Sequence, residues 1–348
     1  MSQQHLFQFV TALLPSWRKT RRRVLALGVQ GLIQRRRLTL SAVARGMDST
    51  CRIIHRVKRL WRFTNNLAVD PRDAVGALAS RAFHLRPSGW VPVVMDETGL
   101  KDRAMLLGAA IAYRGRALPL ALYTYRPELI RKSLSAVREG LLAVILGALP
   151  PTQRSRLLLI ADRGYAASHF FRRLLKAQVS FVIRVPRKVL LHMEHGDHCL
   201  QALAADLEPG QCFLLRDVYY GPAHARLNVL LWWQEDQPEP WLLATTLQDA
   251  RHARQYYRLR MGVEEMFKDL KTRFCLEACQ SQTLNRITRI CLFLVLALWV
   301  LALLVRYPDR WPWFSTTWGV LSFVSLALEW LEAPAVVRHA IRGGYQSG

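Results

Sequence analysis

One stretch of this chain leaves little freedom in how it folds. From Tyr257 to Lys271 it reads Tyr257-x2-Arg260-x3-Glu264-x6-Lys271. At about 100° per residue, a helix brings these four side chains into an arc of roughly 60°, and Lys268 joins them. Leu259, Val263, Met266, Leu270 and Phe274 gather on the opposite side, so the spacing predicts one amphipathic helix laid on a core. The plainest reading of the polar stripe is a solvated face, because Arg260, Glu264 and Lys268 also form an i, i+4 charge ladder.

Two aspartates argue for more than solvation. Trp90-Val-Pro-Val-Val-Met95 is an apolar run of strand type ending at Asp96, and Leu157-Leu-Leu-Ile-Ala161 is a second ending at Asp162-Arg-Gly-Tyr165. A carboxylate after a buried strand is commonly a cap or turn residue. Two of them with a glutamate on a polar helical stripe in a very basic chain suggest a shared site. Gathered carboxylates repel unless cations stand between them. Such oxygen-rich sites suit Mg²⁺ or Mn²⁺, and an ion pair can clamp both oxygens of a phosphodiester displacement.

These motifs resemble a DDE transposase of the insertion-sequence-4 family, whose signature is the Tyr-Arg-Glu-Lys spacing. Trp241-Leu-Leu-Ala-Thr-Thr246 and Tyr257-Arg-Leu-Arg-Met-Gly-Val-Glu-Glu-Met-Phe-Lys268 are similar to the hairpin-forming cut-and-paste members; Asp162-Arg-Gly-Tyr165 fits the second acid, and Asp96-Glu-Thr98 the first. The resemblance covers about residues 90 to 290. It implies that Asp96, Asp162 and Glu264 hold two Mg²⁺ ions, with Mn²⁺ as a substitute, and cut double-stranded DNA at transposon ends. A hairpin step and joining to target DNA would follow, performed by a homodimer in a synaptic complex. Arg260, Lys268 and Lys271 would neutralise phosphates, and Tyr257 would bond a phosphate oxygen. Trp241 would stack on a flipped base, with Trp232 and Trp233 as alternatives because Trp241 lies closer to the signature than in the known hairpin formers. Of the paired glutamates, Glu264 lies inside the stripe and Glu265 is turned about 100° away. The implied location is cytoplasmic, at the bacterial nucleoid.

The formal net charge of +24 calls for a polyanionic partner. Arginine supplies 41 of the 49 basic residues; a GC-rich genome enriches arginine over lysine but leaves no uncompensated charge. Residues 1–66 hold 14 basic residues and one acid, Asp48, so more than half of the excess lies in a fifth of the chain. Leu40 to Leu60 reads as helix, turn at Gly46, and a second helix capped by Asp48 or Ser49, which resembles a helix-turn-helix. Arg52, Arg56, Lys58, Arg59 and Arg62 would then grip a DNA backbone.

The expected fold class is α/β. Strands near 91–95, 104–112 and 117–124, with a hairpin at Arg114-Gly115-Arg116, precede a helix near 133–147. A strand at 157–161, a helix near 166–177 and a strand at 179–185 follow, an order expected of an RNase H-like core. Residues 188–246 read as a β-rich insertion with runs at Cys212–Tyr219, Leu227–Trp233 and Trp241–Thr246. The expected segments are a helical basic DNA-binding domain (1–80), the first part of the core (81–187), the insertion, the glutamate helix with an apolar helix (247–305), and a helical C-terminal region (306–348) with a possible dimer contact.

Other features carry less. His192, His195, His198 and Cys199 match no closed zinc-site spacing. The six cysteines suggest no disulfide framework, and the N-terminus does not read as a secretory signal. Ile290 to Val305 is an unbroken run of 16 apolar residues, short for a bilayer and suited to a buried core helix, so no membrane partner is expected. Two other functions remain open from sequence: a domesticated relative that binds DNA without cutting it, and a basic membrane-associated protein organised by the apolar run.

Overall fold

The computed structural model describes residues 3–130, 134–305 and 322–332. Its centre is built from the apolar runs. Strands β1 (Val91–Gly99), β2 (Met105–Tyr113) and β3 (Arg116–Tyr125) form an antiparallel meander. The hairpin between β2 and β3 closes on Arg114 and Gly115, both at positive φ (47° and 70°), a pairing that suits the right-handed twist of the flanking strands. β4 (Leu157–Ala161) and β5 (Ser180–Arg184) then lie parallel to β1. Pro92 is tolerated because the β2 ladder begins only at Val93, and Pro119 because β3 is an edge strand.

The β-rich stretch continues this sheet. It comprises β6 (Leu190–Met193), β7 (Gly196–Cys199), β8 (Cys212–Tyr220), β9 (Ala225–Trp232) and β10 (Trp241–Thr245), and β10 pairs antiparallel with β5. Among the described residues there is one ten-stranded sheet of order β3-β2-β1-β4-β5-β10-β9-β8-β6-β7. Phe171 stacks on Phe181 at 5.2 Å and meets Tyr220 edge-on at 4.9 Å, so the added strands share the core of the first five.

Helices flank the sheet. In chain order they are α1 (Gln3–Leu13), α2 (Lys19–Arg35), α3 (Leu40–Gly46), α4 (Ile53–Asn65), α5 (Arg72–Leu85), α6 (Leu134–Ala148), α7 (Pro151–Arg154), α8 (Ser168–Lys176), α9 (Leu200–Leu203), α10 (Ala250–Arg258), α11 (Met261–Thr272), α12 (Leu284–Leu304) and α13 (Phe323–Glu332). The apolar run forms most of α12, which is long and apolar enough to cross a membrane. Here it is buried: it lies on β3, where Trp299 donates to the Pro119 carbonyl at 2.8 Å, and against α2 and α4. Phe293 stacks on Phe63 of α4 at 5.6 Å and fills the space left by the missing side chain of Gly28. The basic N-terminal helices and the sheet therefore share one hydrophobic core through α12.

Four local expectations change. The stripe from Tyr257 to Lys271 is carried by two helices, α10 and α11, joined at Leu259-Arg260. There the amides of Leu259, Arg260, Gly262 and Val263 bond three residues back, a tightened turn. Asp96 is not the end of its strand, since β1 runs on to Gly99. Helix α4 begins after Arg52 with no side-chain cap, so neither Asp48 nor Ser49 caps it. Lys268 pairs with Glu265 at 3.8 Å, so the charge ladder stops at Arg260–Glu264. Of the C-terminal region, only α13 is described; Trp311, Trp313, Trp318 and the Trp330 side chain lie outside the described residues.

Candidate active site

Asp96 and Asp162 leave neighbouring parallel strands, β1 and β4, in which Met95 stands opposite Ala161. Hence two residues far apart in sequence emerge side by side. Asp162 caps a 3-10 turn over Arg163–Tyr165 by accepting from the Gly164 amide at 2.9 Å. Asp96 accepts from the Glu97 amide at 2.8 Å, and its side chain is only 15% exposed.

Helix α11 delivers the third carboxylate, and two glycines set how closely it approaches. A Cβ on Gly262 would stand 2.8 Å from the Arg116 carbonyl oxygen, and one on Gly108, which faces Asp96 across the β1–β2 ladder, 2.9 Å from the Phe267 ring. Arg260, at the corner before α11, holds one Nη1 2.6 Å from Glu264 and 3.3 Å from Asp96. Glu265 turns instead to Arg116 at 3.3 Å. Tyr257 has a buried ring; burial pushes its hydroxyl up to about 12 against the pull of the Arg260 and Arg184 charges.

Burial dominates the electrostatics of Asp96. It raises the carboxyl to about 6, the charges of Asp162 and Glu264 push the same way, and the Glu97 amide and Arg260 only partly oppose them. A divalent cation suits this donor set in kind, because three hard oxygen ligands that repel one another are relieved by positive charge, which the Arg260 guanidinium supplies here. Its present spacing is wider than a ligand set: among the described residues, no three His, Cys, Asp or Glu side chains stand close enough to share an ion.

The remaining expected residues divide. Lys271 points to Glu277 at 3.9 Å and Lys268, with a side chain 68% exposed, to Glu265, so neither reaches the three carboxylates here. Trp241 lies beside the site and makes edge contacts with Trp232 at 5.2 Å and Tyr257 at 5.1 Å. Arg184 covers Trp241, and Arg254 and Arg258 cover Trp232. Arg52, just before α4, is exposed, and Arg59 on α4 leans on the Cys51 sulfur at 3.7 Å. Arg56 is committed to the turn: it donates to the carbonyls of Cys51 at 2.7 Å, Met47 at 2.8 Å and Ser49, a structural task in place of the expected phosphate contact.

A buried group behind the carboxylates escaped the sequence reading. Glu97 pairs with Arg138 of α6 at 2.6 Å and accepts from Tyr125 at 2.6 Å and from Tyr165 at 3.3 Å. The only signal in the sequence was an arginine, with one acid beside it, among the apolar residues of α6.

Comparison with curated proteins gives no match. Among solved structures, the synaptic complex of piggyBac transposase with hairpin DNA aligns over 99% of this chain and 85% of its own, with 10% identity and a TM-score of 0.48. Residues 135–300, which include Asp162, Arg260 and Glu264 and begin beyond Asp96, match the family described as the transposase DDE domain.

Proposed function

We propose that the protein is a metal-dependent DNA transposase of the insertion-sequence-4 type, which excises its element through DNA hairpins and joins the ends to target DNA. The observation that carries this is that Arg260 joins Asp96 to Glu264 while Asp162 follows the neighbouring strand, in and beside the stretch that matches a transposase DDE domain. The strand order 3-2-1-4-5 with β4 and β5 parallel to β1 supports an RNase H-like core. Asp96, Asp162 and Glu264 would hold two Mg²⁺ ions, or Mn²⁺ in their place; bound there, such ions supply an activated water and charge stabilisation at the scissile phosphate. Arg260, held by Asp96 and Glu264, supplies a guanidinium fork that matches a phosphate, and Tyr257 would bond a phosphate oxygen. Double-stranded DNA is the partner, gripped by the basic helices. The assembly would be a homodimer, working in the bacterial cytoplasm at the nucleoid.

The test is cleavage of DNA carrying the element's own inverted repeats with Mg²⁺. Asp96→Asn, Asp162→Asn and Glu264→Gln should each abolish nicking and keep end binding, whereas Glu265→Gln should remain active. Full activity in any of the first three removes that residue from the site, and strand cleavage without joining reduces the protein to a nuclease.

A further inference from the structure

Successive side chains of a strand point to opposite faces, so β1 sends Asp96 toward α11 and Glu97 toward α6. On the α6 side, Arg138 uses its fork twice. Its Nε donates to Glu97 at 2.6 Å and its Nη1 to the Gly164 carbonyl, while its guanidinium lies 4.2 Å above the Tyr165 ring. The Gly164 amide meanwhile donates to Asp162. One residue is thus held by its carbonyl to Arg138 and holds Asp162 by its N–H. The Glu97 carboxylate is fixed in turn by the hydroxyls of Tyr125 and Tyr165.

The side chains of Glu97 and Arg138 are only 12% and 11% exposed. A buried ion pair is a poor device for stability alone, since apolar residues of similar size commonly serve as well or better. It does fix orientation. We infer that Arg138 and Glu97 are positioning residues: the pair ties the strand that carries Asp96 to the turn that carries Asp162 and sets the distance between the two carboxylates. The catalytic consequence rests on the transposase reading, whereas the mechanical part does not.

The experiment therefore reads both in the full-length protein. Arg138→Lys keeps the charge but cannot reach Glu97 and the Gly164 carbonyl together. Hydrogen exchange should accelerate over residues 96–99 and 162–167 and stay unchanged in α12, with Tm near that of the parent. First-strand nicking should fall about 100-fold with end binding retained, the scale expected when reacting groups shift by about 1 Å. Glu97→Gln should behave alike, and the double variant should be no worse than the poorer single, since both break one device. If Arg138→Lys does not fold, Glu97→Gln alone decides. Local exchange or nicking at the parental rate, multiplicative losses in the double variant, or exchange accelerated throughout the chain with a matching fall in Tm would each overturn the inference. A parent protein that nicks no end DNA would sink the transposase reading and leave exchange to judge the clamp.

Discussion

The carbonyl oxygen of Arg116 stands 2.8 Å from where a Cβ on Gly262 would be, so the tip of the β2–β3 hairpin and the first turn of α11 touch backbone to backbone. Arg116 then pairs with Glu265 and with Asp269, locking the helix to the hairpin at the contact that glycine permits.

Gly262→Ala should therefore displace α11 and with it Glu264, because a carbonyl cannot yield as a side chain can. A loss of roughly 1–3 kcal/mol is expected, the usual scale of overpacking, together with severe loss of nicking. Gly108→Ala meets side chains, the far end of the Phe267 ring and a Leu122 methyl, and should cost less. Urea denaturation of the two variants checks this order; equal stabilities would contradict it.

Asp96 gives a pH signature. Its carboxyl sits at about 6 in the fold against an ordinary value of 3.8, so its contribution to stability is fully present below about pH 3.8 and is lost as pH rises through 6. Asp96→Asn is always neutral and should be more stable than the parent at pH 7.5 in chelator, by up to about 3 kcal/mol before allowance for the solvent that reaches the site. The advantage should vanish near pH 4. A variant less stable than the parent at pH 7.5 would show that Arg260 outweighs burial.

DNA recognition should be probed by charge removal. Deleting residues 1–66 would uncover Phe293 and the rest of α12, so that truncation should yield insoluble protein whatever the helices bind. Arg52, just before α4, and Lys58 and Arg62 on it are exposed and can be changed together to alanine. End binding should weaken, and the slope of log affinity against log salt should shrink by up to about 0.9 for each phosphate that is no longer neutralised. An unchanged slope would move the DNA-binding face off α4.

Trp241 should show two separable effects. Trp241→Ala removes edge contacts to Trp232 and Tyr257 and should destabilise by a few kcal/mol, about 3 for a well-buried aromatic and less for this half-buried one. Trp241→Phe keeps an aromatic face and should retain most of that stability. If the tryptophan also receives an unstacked base, the folded phenylalanine variant should nick normally but accumulate nicked ends before hairpin formation on denaturing gels. Normal hairpin yield would return Trp241 to packing alone.

The sheet was legible wherever apolar runs were bounded by turn residues: β4 has the expected limits, and the Arg114-Gly115 turn falls where a hairpin was read. Asp96, Asp162 and Glu264 could be proposed from sequence because the apolar runs before the two aspartates and the helical spacing around the glutamate are local properties, although β1 runs on past Asp96 to Gly99. The corner at Leu259-Arg260 was not legible, since both residues keep right-handed helical dihedrals and only the bonding changes. Nor were the partners of Glu97 and Arg56. One depends on an arginine 41 residues away, the other on backbone carbonyls, and neither leaves a pattern in side-chain periodicity.

The late position of α12 in the chain bears on how the protein can be made. Arg286 and Arg289 bond Thr64 from 222 and 225 residues away, and Trp299 bonds Pro119 from 180 away. Contacts of such sequence separation close large loops, which slows folding, and no earlier segment can take their place. A nascent chain on the ribosome therefore holds the apolar faces of α2, α4 and β3 uncovered until α12 has been synthesised. Copies of the gene ending before Leu284 would release chains lacking that cover, which chaperones and proteases would meet as aggregation-prone fragments before they could compete for DNA ends.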